Sequence, residues 1–241
     1  MKKKLLITLL SFASFVLHAQ IDVQDNQTAV ALAQKLTGQG VIILNPVLNC
    51  AGVANGVFDL VPNGTTNLGL DSGIVLTSGA AMTSGFTTGV NGPVGTPSTD
   101  NNYPGDPELN SVLTGFLTKD RCVLEFDFVP AGDTIKFDYV FGSYEYEGYS
   151  CSSYNDIFGF FISGPGITGN QNIAVIPGTN IPICVNSTTG VPLNPGTMCT
   201  NMGPGSPFSQ YYVDNSSGTT ITYYGFTEVM TAIAVVQPCD T

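Results

Sequence analysis

The sequence has 241 residues, 43% of them apolar, with 28 Gly, 15 Pro, no Trp and only 10% charged side chains. Eighteen acids against seven bases give a net charge of −11, and removing Lys2, Lys3 and Lys4 from the extreme N-terminus takes it to −14. Such a field repels polyanions and excludes a nucleic-acid partner and attraction to anionic lipid, while the apolar content suffices for one turn-rich domain.

Residues 1–19 read as a secretory signal. Lys2 to Lys4 form its positive start, and the uncharged stretch Leu5 to Leu17 is too short to span a bilayer. Cleavage after Ala19 leaves a single domain, residues 20–241, expected to be secreted or displayed at the cell surface. No later stretch reaches eighteen continuous apolar residues, so no membrane insertion is expected. The only histidine, His18, falls inside the signal, which removes Ser-His-Asp and Cys-His catalysis and His-ligated zinc together. Six cysteines, Cys50, Cys122, Cys151, Cys184, Cys199 and Cys239, are an even number in an exported chain and are expected in disulfides. The local pair Cys184 and Cys199 is the first candidate; the sequence leaves the other pairings open.

Two short helices are predicted. Thr28 caps Ala29 to Leu36, where Val30, Ala33 and Leu36 recur at helical spacing before Gly38. Asp106 caps a second helix that opens with Pro107 and Glu108 and carries a stripe of Leu109, Val112, Leu113 and Phe116.

The remaining periodicity is that of strands. Leu124, Phe126 and Phe128 alternate with Glu125 and Asp127; after Pro130-Ala131-Gly132-Asp133, the residues Ile135, Phe137, Tyr139 and Phe141 alternate with Lys136 and Asp138. This pattern predicts a hairpin with one apolar and one polar face. Ile157 to Ile162 and Val229 to Val236 are apolar on both faces and predict strands buried in the middle of the stack. Further candidates are Val41 to Leu44, Ile74 to Thr77, Ile173 to Ile176, Tyr211 to Val213 and Thr219 to Phe226. About nine short strands with few helices predict an all-β fold, a β-sandwich or jelly roll with two short helices packed on it. The polar stretches Gly79 to Gly105 and Asn186 to Ser217 are expected to be long loops.

Three segments in order, LGLDSGIVLTSG (Leu68 to Gly79), VLEFDFVPAGDTIKFDYVFGS (Val123 to Ser143) and NDIFGFFISGPG (Asn155 to Gly166), resemble the choice-of-anchor L domain. The resemblance implies an extracellular β-rich module of a bacterial surface protein, with no catalytic activity to carry over. After Phe141 the family pattern is Gly-Ser-Glu-Glu-Tyr, whereas Gly142-Ser143-Tyr144-Glu145-Tyr146 keeps only the second acid, with Glu147 as a compensating one. The family domain also continues beyond Cys239-Asp240, which implies either a C-terminally truncated domain or a short form, with a strand edge left open.

Glu145, Glu147 and Asp156 supply hard oxygen ligands of the kind calcium needs, and Asp100, Asn102 and Asp106 form a second oxygen-rich loop. A turn capped by Asp156 with solvated glutamates is the preferred explanation of the first group, and helix capping by Asp106 explains the second as well. Tyr144, Tyr146, Tyr149, Tyr154 and Asn155 crowd the first loop, as aromatic and amide groups do where a protein stacks on and hydrogen-bonds a sugar; packing around Cys151 is the competing explanation. The expected function is non-enzymatic adhesion, binding an extracellular glycan or protein. A glycoside hydrolase using Glu145 with Asp156, and a purely structural spacer, are the alternatives.

Overall fold

The computed structural model describes residues 21–38, 40–62, 64–82, 99–113, 117–146, 148–150, 152–186, 200–218 and 220–240. The signal-like residues 1–19, Cys151, Cys199, Glu147 and Phe116 lie outside them. In chain order the strands are β1 (Ile21–Asp25), β2 (Val41–Asn49), β3 (Asn55–Leu60), β4 (Ser72–Leu76), β5 (Val123–Pro130), β6 (Thr134–Tyr139), β7 (Gly142–Ser143), β8 (Ile157–Phe158), β9 (Phe161–Ile162), β10 (Gln171–Asn172), β11 (Ile183–Cys184), β12 (Tyr212–Asp214), β13 (Gly225–Thr227) and β14 (Met230–Val235). Helix α1 (Ala29–Leu36) follows β1, and α2 (Pro107–Val112) precedes β5. All strand pairs are antiparallel: β1-β3-β4, β2-β5, β6-β14, β7-β13-β12, β8-β11 and β9-β10. Among the described residues these small sheets form no barrel, and the architecture is all-β and sandwich-like.

Both helices start where their caps dictate. The Thr28 hydroxyl accepts from the Ala31 N–H, and Asp106 Oδ1 accepts from the N–H groups of Glu108 and Leu109, each 2.9 Å away. Helix α1 buries Leu32 and Ala33 against β2, β3, β4 and β5, so the packed face is rotated from the expected stripe and leaves Val30 in solvent. Helix α2 ends at Val112; Leu113, just beyond it, is buried.

The alternation predicted for the two charged strands holds, since Glu125, Asp127, Lys136 and Asp138 are exposed. Their pairing does not: β5 pairs with β2, and β6 with β14. The turn between them bonds outward, Ala131 N–H to the Gly40 carbonyl and Val236 N–H to the Asp133 carbonyl. Phe128 and Phe137 pack against one core cluster of Ile135, Ile162 and Val236. Two apolar faces that meet in a core belong to different sheets, and a hairpin would put them side by side. Strand β14 also departs from expectation. It alternates, with Met230 and Ala232 buried and Ile233 and Val235 exposed at 52% and 77%, because one face packs on the core while the other is open to solvent. The other two-faced segment divides at Gly159 into β8 and β9, each with its own partner.

Two further core clusters flank the loop between β7 and β8. Ile21, Val23, Phe58, Ala81, Ile221 and Phe226 form one; Phe141, Tyr146, Ala174, Ile176, Ile183, Val185, Met202 and Met230 form the other.

Cys50 and Cys122 form a disulfide immediately past the Asn49 to Val123 pair that ends the β2-β5 ladder. The bond closes a long loop, its cysteines standing 72 positions apart in the sequence. Cys184 is a free, buried thiol whose Sγ lies 2.8 Å from the Asn186 carbonyl, and Cys239 is free and exposed; Cys199, the expected partner of Cys184, lies outside the described residues. Loop-closure entropy sets the expected cost of the Cys50→Ser/Cys122→Ser variant at about 4 kcal/mol. Denaturant unfolding of oxidised protein and variant measures it, and equal midpoints would show that the staple contributes nothing.

Candidate functional site

The stretch from β7 to β8 returns on itself because its two ends are tied together. Ser143, 1% exposed, accepts from the Glu145 N–H at 2.9 Å and donates to Asp156 Oδ2 at 2.6 Å. Asp156 N–H in turn donates to Glu145 Oε2 at 3.1 Å. One hydroxyl and two carboxylates thus close the neck of the loop. A second clip lies beside it: Asn186 N–H donates to Asn155 Oδ1 at 2.8 Å, and Asn186 Nδ2 donates to the Tyr154 carbonyl at 2.6 Å.

The four tyrosines divide by role. Tyr146 is 1% exposed and anchors the loop in the core, edge-on to Phe141 and 5.1 Å from the Tyr212 ring centroid. Gly225 makes that packing possible, since a Cβ there would come within 2.5 Å of the Tyr212 ring and 2.9 Å of Tyr146 Cβ. Tyr144 is half-buried and bridges inward to Tyr224 at 5.2 Å and outward to Tyr149 at 5.8 Å. Tyr149 and Tyr154, 42% and 59% exposed, stand at 89° to each other with centroids 5.7 Å apart. The aromatic row therefore runs from the interior to solvent, and only its outer two rings offer open faces.

Burial raises the pKa of both acids. Desolvation, reinforced by the Asp156 charge, pushes Glu145 up to about 8, against the opposing bond from Asp156 N–H. Asp156 is raised by desolvation, with the Ser143 hydroxyl acting the other way. Burial likewise pushes the Cys184 thiol up to about 12 and keeps it unreactive, and raises the phenols of Tyr146 and Tyr223. The Tyr146 hydroxyl is buried without a hydrogen-bond partner.

Sequence reasoning brings Tyr144, Glu145, Tyr146, Tyr149, Tyr154, Asn155 and Asp156 to one loop, and the structure assembles them there. Asn155 faces inward to its clip rather than outward to a ligand. No group of three or more His, Cys, Asp or Glu arranged to hold a metal occurs among the described residues, and Glu147 is outside them. In the other oxygen-rich stretch Asp106 caps α2, and Asp100 Oδ1 accepts from the Asn102 N–H. Ser143, Asn186 and Tyr224 are the partners that sequence reasoning missed. Only Ser143, two residues before Glu145, carries a local signal, that of a hydroxyl-capped turn.

The fold and loop define the class first: a disulfide-linked, all-β, sandwich-like domain whose distinctive side chains sit on a connection between strands. The chain belongs to the choice-of-anchor L domain family, which it matches over residues 20–241. This is a family of bacterial surface-protein domains and not a known enzyme family, and membership assigns the chain to surface or extracellular proteins. No curated protein and no solved structure matches it. Among the described residues no helix is long and apolar enough to cross a membrane.

Because both acids titrate higher in the folded protein than in an unfolded chain, the folded state holds protons that the unfolded state has already released. Stability from this pair is greatest in mild acid, near the ordinary carboxylate pKa of about 4, and declines as pH rises towards about 8. Thermal unfolding between pH 5 and 8 is expected to show Tm falling with pH, and Glu145→Gln to flatten the slope. An unchanged slope in the variant would remove Glu145 as its source.

Proposed function

We propose that the protein is a surface-displayed adhesion module that binds an extracellular glycan through the tyrosine loop. The observation that carries this reading is the exposed pair Tyr149 and Tyr154, set nearly perpendicular on a loop whose neck is fastened by part-buried hydrogen bonds. Ring faces stack on the C–H faces of sugars and phenol hydroxyls bond to their hydroxyls, while a pre-ordered loop reduces the entropy lost on binding. The acidic excess favours neutral or cationic ligands over anionic ones.

The hydrolase alternative is disfavoured by how the two acids are engaged. Glu145 and Asp156 each accept a bond from the loop's own groups, which suits them to fastening it. A spacer would give no reason for two neighbouring tyrosines to lie open. Calcium remains a proposal for Glu145 and Asp156, whose mutual repulsion a cation would relieve.

An immobilised panel of neutral and amino-sugar glycans, probed with the full chain in calcium and in chelator, tests the reading. Wild type is expected to bind, and Tyr149→Ala/Tyr154→Ala to weaken binding at least about tenfold, or about 1.4 kcal/mol, with Tm unchanged. Binding that disappears in chelator and in Asp156→Asn would assign calcium to the loop. A wild-type chain that binds no glycan under either condition would overturn the proposal and leave a protein partner.

A further inference from the structure

A groove of about 340 Å³ lies between the segment around Asn67 and the residues Asn215, Ser217, Gly218 and Thr220. In a chain with eighteen acids, its lining among the described residues consists of hydroxyl, carboxamide and backbone groups, with no charged side chain. We propose that this groove is a second subsite, for one uncharged sugar ring of an oligosaccharide whose other end stacks on Tyr149 and Tyr154. The choice of ligand rests on the glycan reading of the tyrosine loop.

Hydrogen-bond lengths distinguish the inner from the outer side of the groove. Asn215 is 3% exposed, and its Nδ2 donates to the carbonyls of Ile221 and Tyr223, both at 2.7 Å, which consumes its donor capacity and fixes the carboxamide. Gly218 N–H closes the turn on the Asn215 carbonyl at 2.7 Å, and a Cβ at Gly218 would overlap the Asn215 side chain. Contacts on the groove side are long. Asn67 Nδ2 reaches Asn215 Oδ1 at 3.3 Å, Thr220 donates to Asn67 Oδ1 at 3.4 Å, and the hydroxyls of Thr66 and Thr220 are 3.5 Å apart. Bonds beyond the usual range of about 2.7–3.2 Å are weak and readily exchanged for shorter ones. The groove, open to solvent, thus presents donors and acceptors on a fixed frame, the complement of a neutral polyhydroxylated ring.

The frame is continuous with the tyrosine row. Asn215 N–H donates to the Tyr224 carbonyl at 2.9 Å, and the Tyr224 ring packs on Tyr144, the inner neighbour of Tyr149. A linear glycan that engages both positions gains through effective concentration, so losing either one weakens binding by more than its own contacts.

The test is titration of the ¹⁵N-labelled full chain with cellohexaose, chitohexaose and maltohexaose. It compares wild type with Asn67→Ala/Thr220→Val, which removes groove hydroxyl and amide groups at the surface, and with Tyr149→Ala/Tyr154→Ala. Saturable shifts at the Gly218 and Tyr149 amides with one common Kd, and at least about tenfold weaker binding in the groove variant at unchanged Tm, support the subsite. Shifts confined to the tyrosine loop and insensitive to the groove variant overturn it and leave the tyrosine reading standing. Loss in the groove variant alone keeps the groove and overturns the tyrosine reading, whereas no shift with any hexasaccharide overturns both.

Discussion

The structure depends on the last strands of the chain closing over its middle. Strand β13 inserts between β12 and β7, and β14 pairs with β6 along its whole length. Thr227, fully buried, joins the two halves at this seam: its N–H donates to the Phe141 carbonyl at 2.9 Å, and its hydroxyl accepts from the Phe141 N–H at 3.0 Å. Phe226 on one side and Met230 on the other enter different core clusters. A buried hydroxyl and backbone pair satisfied in this way costs little, whereas leaving either partner unbonded would cost about 1–3 kcal/mol. The loop between β7 and β8 starts three residues after Phe141, so its position is set by this closure.

Above the seam, polar groups hold the loop where apolar packing alone would leave it loose. Ser143, Glu145 and Asp156 satisfy one another at the neck, and the Asn155 and Asn186 clip fastens its far side to the segment after β11. The raised carboxyl pKa values are the cost of placing two acids in a partly dry site. Tyr146 converts the loop into part of the core, and this frees Tyr149 and Tyr154 to project from a fixed base. A rigid support carrying open aromatic rings is what the proposed glycan reading of this loop rests on. The same support reaches the Asn215 turn through Tyr223 and Tyr224, so two surface features with unrelated sequences share one frame.

What the sequence determined by itself is local. Thr28 and Asp106 start their helices because a side-chain oxygen reaches backbone N–H groups two or three residues on, and the alternation around Glu125 and Lys136 survives because strand geometry sends successive side chains to opposite faces. The crowding of Tyr144, Tyr149 and Tyr154 beside Glu145 and Asp156 was equally legible, since these residues are close along the chain. Only the tertiary structure decided partners: β5 with β2 instead of β6, Cys50 with Cys122, Tyr224 behind Tyr144, and Asn67 opposite Asn215. It also decided which tyrosine is buried, and that Ile233 and Val235 face solvent on a strand whose composition reads as interior. The physical reason is range. Caps and alternation act within a few residues, whereas pairing is a competition among distant segments, decided by which apolar faces can be buried together.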